Sequence, residues 1–119
     1  MVLTKTTSVL IIEDNEDTRL MLSALLRRNG YNHVSTAVDR NEALSILAST
    51  DINLILLDYR MSGQSATIFL HRVRSVYPRI RVVLITASDE IEFISNMLEI
   101  DEFIRKPIRP EELLRILEN

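Results

Sequence analysis

The 119-residue chain is predicted to fold as an α/β domain, a doubly wound, five-stranded parallel sheet flanked by five helices. Three observations carry that expectation. Short apolar runs of strand length alternate with amphipathic stretches of helical length, and parallel neighbours need such a crossover between them. Residues 9–12 (Val-Leu-Ile-Ile) and 54–57 (Leu-Ile-Leu-Leu) show no polar alternation, as expected of strands buried on both faces. Both runs end in acids, Glu13-Asp14 and Asp58, and the carboxyl ends of parallel strands are where an open α/β sheet forms its ligand crevice.

In chain order, residues 9–12 form the first strand. Asn15 then caps a helix in which Thr18, Leu22, Leu25 and Leu26 recur at helical spacing, closed by Asn29-Gly30. Residues 34–38 make a weaker second strand. Asp39 and Glu42 are spaced as a capping box, which starts a helix over 41–48 with Ala43, Leu44 and Leu47 inward. The third strand delivers Asp58. Helix 65–76 follows, with Phe69, Leu70, Val73 and Val76 at helical spacing, and Pro78 marks its end. The fourth strand covers 82–86. Ser88 or Asp89 opens a helix to about residue 98, and a short fifth strand covers 103–105 before Lys106-Pro107 breaks it. Pro110 suits the first turn of a last helix holding Leu113, Leu114, Ile116 and Leu117.

With 46% hydrophobic and 26% charged residues, the chain has the make-up of one globular domain over residues 1–119, long enough for a sizeable core. The absence of cysteine excludes disulfides and thiolate metal sites. No apolar run approaches the roughly 18 residues of a membrane span. Residues 1–8 also lack the apolar centre of a secretory signal, so the expectation is a cytoplasmic protein without a membrane partner. The net charge of −3 is spread evenly, six basic against eight acidic residues over 1–60 and eight against nine over 61–119. Without a basic stripe, direct nucleic-acid binding is not expected.

Glu13, Asp14, Asp58, Thr86 and Lys106 all lie at or just past carboxyl strand ends, so the topology gathers them on one edge of the sheet. Each close pair of carboxylates costs roughly 4 kcal/mol at about 4 Å in a surface-like dielectric, so the cluster must take up a proton or a cation. An oxygen-rich acidic cleft suits Mg²⁺ or Mn²⁺. A lysine and a hydroxyl beside it complete a receptor for a phosphoryl group, and the carboxylate can itself be the acceptor.

Ile11-Ile12-Glu13-Asp14, Leu56-Leu57-Asp58, Leu84-Ile85-Thr86-Ala87 and Phe103-Ile104-Arg105-Lys106-Pro107 resemble the motifs of the receiver domain of two-component response regulators. The resemblance covers essentially the whole chain. It implies a flavodoxin-like, CheY-like fold with strand order 2-1-3-4-5. It implies that Asp58 is the phosphoacceptor, Asp14 a direct metal ligand, Glu13 a metal-site acid acting mainly through water, and the backbone carbonyl of Arg60 the third protein ligand. Lys106 would contact the phosphoryl group, Thr86 would be the switch hydroxyl, and Phe103 the aromatic whose rotamer follows it. The implied function is a signalling switch that takes its phosphoryl group, with Mg²⁺, from a phosphohistidine of a sensor histidine kinase or histidine phosphotransfer protein. Self-phosphorylation and autodephosphorylation at Asp58 are expected, rather than conventional enzymatic turnover. A downstream protein would read the face formed by the fourth helix, fifth strand and fifth helix, where Ile91, Ile108 and Arg109 are candidate contacts.

Some positions depart from the family pattern. Ser62 replaces a usual Pro, Ala66 a common Gly, and Glu99-Ile100 a usual Gly-Ala pair; the segment between Thr86 and Phe103 is about two residues short. Arg60 projects a cation toward the cleft mouth, where it could slow or admit the hydrolytic water. His33 and His71 fall away from the predicted cleft and receive no role. Residues 14–17 resemble the start of a calcium loop but lack its Gly and downstream Glu. Arg72, Arg74, Arg79 and Arg81 read as a solvated basic surface.

Two other functions on this fold fit the residues less well than the switch. An aspartyl-nucleophile hydrolase needs a second acid where Arg60 stands. A flavin carrier needs a phosphate loop free of the acids at 13–17. A receiver-like binding module that works without phosphorylation stays open. Room for an effector domain is not found within 119 residues, so the chain either acts alone by protein contact or is a fragment of a longer regulator or hybrid kinase.

Overall fold

A computed structural model of the chain describes residues 5–59, 66–87 and 100–118. Five parallel strands, β1 (Lys5–Ile12), β2 (Tyr31–Ala37), β3 (Leu54–Asp58), β4 (Arg81–Thr86) and β5 (Glu102–Arg105), form one sheet in the order β2-β1-β3-β4-β5. Helices α1 (Glu16–Arg28), α2 (Arg40–Ser49) and α3 (Ala66–Val76) and a C-terminal helix (Pro110–Glu118) pack on its two faces. The doubly wound α/β fold is therefore as expected. The helix expected from Ser88 or Asp89 falls on residues outside those described.

The continuous apolar runs do what two-sided burial predicts. Alternate residues of one strand feed opposite cores: Leu10, Ile12, Ile55, Leu57, Val82 and Leu84 meet α2 and α3, while Val9, Ile11, Leu54, Leu56, Val83 and Ile85 meet α1 and the C-terminal helix. Val9 through Ile12 are fully buried. At about 1.5–3 kcal/mol for each such side chain, burial in these strands dominates the stability of the domain.

Helix ends follow local chemistry. The Asn15 side chain accepts from Thr18 N at 2.9 Å and the Asp39 side chain from Glu42 N at 2.8 Å, so both sequence-read caps form. Gly30, at φ 94°, turns the chain from α1 directly into β2, a backbone conformation that favours glycine.

Several details differ from the sequence reading, the first being that β1 begins at Lys5 rather than at residue 9. β2 begins at Tyr31 rather than 34, because Tyr31 fills the core while Asn32 and His33 face solvent and break the apolar pattern. Val76 is 59% exposed; Tyr77 in the following turn packs against the core instead. Arg74 and Arg81 are not a loose solvated patch. Arg74 Nη2 lies 2.5 Å from Asp101 Oδ2 and its Nη1 donates to Ile80 O at 2.6 Å. Arg81 Nη2 pairs with Glu102 Oε1 at 2.5 Å and donates to Ile116 O at 3.1 Å. Asp101 Oδ2 also accepts from Val82 N at 2.7 Å, so the start of β5 is tied to β4 and α3 together. Among the described residues, no helix is long and apolar enough to cross a membrane.

Candidate functional site

Where β1 ends, Glu13 N donates to Ala37 O at 3.0 Å, which holds the acid loop against the end of β2. Glu13 is left 3% exposed, and Asp14 next to it faces solvent. Arg19, from α1, reaches back: its Nη1 donates to Glu13 O at 2.8 Å and Asp14 O at 3.3 Å. Long helical side chains lean toward the helix N-terminus, which is how a residue five positions on can clamp this loop. On β3, Asp58 is 5% exposed, and Tyr59 N donates to Ile85 O at 2.9 Å, extending the ladder past the acid and fixing it.

One carboxylate oxygen from each of Glu13, Asp14 and Asp58 lies within 4.8 Å of the other two. Lys106 Nζ is 3.3 Å from Asp58 Oδ2. Lys106 owes its place to the end of β5, where its N–H donates to Thr86 O at 2.7 Å and the bond to Pro107 is cis. Thr86 is fully buried at the end of β4. Five residues from four strand ends thus meet at one edge of the sheet.

The crowding has an electrostatic consequence. Burial, and then the adjacent Asp58 carboxylate, push the Glu13 carboxyl up from 4.5 to about 7; the Asn15 N–H, donating to Glu13 Oε2 at 3.1 Å, opposes this. Three converging oxygen donors with excess negative charge fit a hard divalent cation, since such ions take carboxylate and water oxygens.

A sequence model described as the response regulator receiver domain matches residues 9–118. The chain belongs to this family. It is 34% identical over 110 residues to the phosphate regulon transcriptional regulatory protein PhoB of Escherichia coli, covering 89% of this chain and 48% of that protein. It is 31% identical over 111 residues to the aerobic respiration control protein ArcA of the same organism, covering 92% of this chain and 46% of that protein. The receiver domain thus spans less than half the length of these curated relatives. Among solved structures it is similar to the chemotaxis protein CheY4 of Vibrio cholerae, with a TM-score of 0.85, 29% identity, and coverage of 96% of this chain and 98% of that one.

Within the receiver domain, the structure brings Glu13, Asp14, Asp58 and Lys106 together, and Thr86 ends β4 beside them, its backbone O accepting from Lys106 N. Phe103, on β5, is 41% exposed. Arg60, Ser62, Ile91 and Glu99 lie outside the described residues. Ala66 is buried, and Ile100 packs against the α2–α3 side core. His33 and His71 are exposed and away from the cluster. Sequence reading missed Arg19. Its only signal is a cation about one turn into the helix that follows two acids.

Proposed function

We propose that this receiver domain, over residues 1–119, is a cytoplasmic phosphoryl-accepting switch of a two-component phosphorelay, with Asp58 as acceptor. The observation that carries the reading is the Asp58 carboxylate held 3.3 Å from Lys106 Nζ and within 4.8 Å of the Glu13 and Asp14 carboxylates.

Glu13, Asp14 and Asp58, with the Arg60 carbonyl that the family resemblance adds, would hold Mg²⁺ or Mn²⁺. When bound, the ion screens the acids and stabilises charge on the transferring phosphoryl oxygens. Asp58 supplies the nucleophile: its oxygen forms a bond to phosphorus as the phosphorus–nitrogen bond of a phosphohistidine breaks, and the leaving imidazole takes a proton from water. Lys106 gives a fixed positive charge to the new phosphoryl oxygens, and the Thr86 hydroxyl gives a hydrogen bond. Hydrolysis later breaks the same oxygen–phosphorus bond. Near burial of Asp58 limits water access and lengthens the life of the phosphorylated state.

The donor would be a sensor histidine kinase or histidine phosphotransfer protein. Such a partner must cover the rim of the cleft, and α1, which starts at that rim, exposes Leu20 at 60% and Met21 at 50%. Exposed apolar residues beside a reactive cleft suit a protein partner.

Incubation with acetyl phosphate and Mg²⁺, followed by intact-mass analysis, should add one phosphoryl group, and Asp58→Asn should abolish it. No adduct in the presence of Mg²⁺ or Mn²⁺ would favour a binding module independent of phosphorylation. Leu20→Arg should leave acetyl phosphate labelling intact while slowing transfer from a phosphorylated histidine protein.

A further inference from the structure

An open sheet has two edges, and here they differ in length. β5 ends one side with four residues, too few to template much pairing, whereas β2 ends the other with seven. On its inner side, Ala37 O accepts from Glu13 N, which follows β1. Successive residues of a strand turn their backbone groups to alternate sides, and β2 keeps register with β1 from His33 to Ala37. The N–H and C=O groups of Val34 and Thr36 therefore point away from the sheet, and those of Asn32 share their phase.

Nothing in the strand's own sequence closes that edge. Residues 31–37 hold no Lys, Arg, Asp, Glu or Pro, the residues that commonly blunt an edge, while Tyr31, Val34 and Thr36 favour extended backbone. Such a run is also self-complementary. About a dyad at Val34, two antiparallel copies set Val34 against Val34 and Asn32 against Thr36, with no like charges opposed within the strands.

Arg27, in the last turn of α1, lies across this edge. Its Nη2 donates to Val34 O at 3.0 Å, and its Nη1 makes a longer bond to Asn32 O at 3.5 Å. Both acceptors are outward carbonyls. A cation at a helix C-terminus ordinarily serves the last carbonyls of its own helix, and Arg28 beside it supplies the same charge to that turn. We propose that Arg27 is an edge guard: its guanidinium occupies the β2 carbonyls that would otherwise accept from β2 of a second copy of this chain. On the dyad both copies bring Arg27 to the same stretch, so their approach must break these bonds and oppose two cations. Association of the domain is thereby left to its other surfaces.

Sedimentation and amide exchange over a concentration series test this in the full chain with Arg27→Met, Arg28→Met and the double variant Arg27→Met with Val34→Pro. Arg27→Met should self-associate on the order of tenfold more tightly than wild type, because two backbone acceptors are freed and a repulsion is lost. The amides of Val34 and Thr36 should become protected as concentration rises. Arg28→Met removes the same charge one residue on and should behave as wild type. Proline at position 34 removes an outward N–H and spares the ladder to β1, so the double variant should return to the wild-type state. Arg27→Gln repeats the comparison if Arg27→Met does not fold. Association no tighter than wild type, equal association in Arg28→Met, or association without protection at Val34 and Thr36 overturns the proposal.

Discussion

Glu13 sits almost out of solvent beside a second carboxylate, and its elevated pKa makes metal-free folding depend on pH. Because the native state binds this proton more tightly than the unfolded chain, the contribution is complete below about 4.5 and is lost as pH rises through about 7. In EDTA, the urea midpoint should fall between pH 5 and pH 7.5. Glu13→Gln should flatten that slope, and so should saturating Mg²⁺, which binds the ionised cluster of the native state alone. Equal slopes in wild type and Glu13→Gln would refute the assignment. Arg19→Met should weaken Mg²⁺ binding with little loss of stability, since it frees the loop that carries two of the acids without opening the core. Glu13-Asp14, Asp58 and Thr86 were legible in the sequence because each closes a run of apolar residues, and Lys106 because it ends the short fifth strand before Pro107. Arg19 was not, because what matters about it is where its long side chain ends, on the Glu13 and Asp14 carbonyls.

At the scale of elements, β5 shows how a weak strand is held. It has four residues and buries Ile104 fully, and its entry depends on Asp101, whose one oxygen serves both Val82 N and Arg74. Asp101→Ala removes the acceptor of the part-buried Val82 N–H and one of the partners of the Arg74 guanidinium, and should cost about 1–3 kcal/mol in denaturant unfolding. A loss confined to a few tenths would mean that water replaces the carboxylate freely. These pairings join residues 19 to 27 positions apart, and no local pattern announces them. The three central strands were readable because two-sided burial leaves an unbroken apolar run. β2, at the edge, was placed too late, since Asn32 and His33 are polar where the strand meets solvent. Both helix caps were readable because capping is settled within four residues.

For the whole molecule, the sheet order puts β1 and β3 side by side, so acids from distant sequence share one cleft, with β4 and β5 carrying Thr86 and Lys106 on its other flank. That order came from family resemblance; alternation alone leaves several strand permutations open. A phosphoryl group on Asp58 would draw Lys106 and the Thr86 hydroxyl toward it. Movement of Thr86 would leave room beside β5, and Phe103, exposed in this structure, would gain free energy by turning inward. Beryllofluoride with Mg²⁺ should therefore shift the amide resonances of Phe103, Ile104 and Arg109 as well as those around Asp58. Thr86→Ala should keep the changes near Asp58 and lose the distant ones. Distant shifts that persist in Thr86→Ala would break this route.

The same sheet has a thick side and a thin one. β1 is paired on both flanks with Val9 through Ile12 fully buried, whereas β5 is a short edge strand paired with β4 alone. Amide protons should therefore exchange slowest at Leu10, Ile11 and Leu56 and fastest at Phe103 and Arg105, through openings that leave the rest of the sheet closed. The edge proposed to carry the signal is thus the edge that opens most cheaply. On the proposed reading, a phosphoryl group at Asp58 would have only to bias the local opening expected of β5, while the strands that hold the acids stay shut.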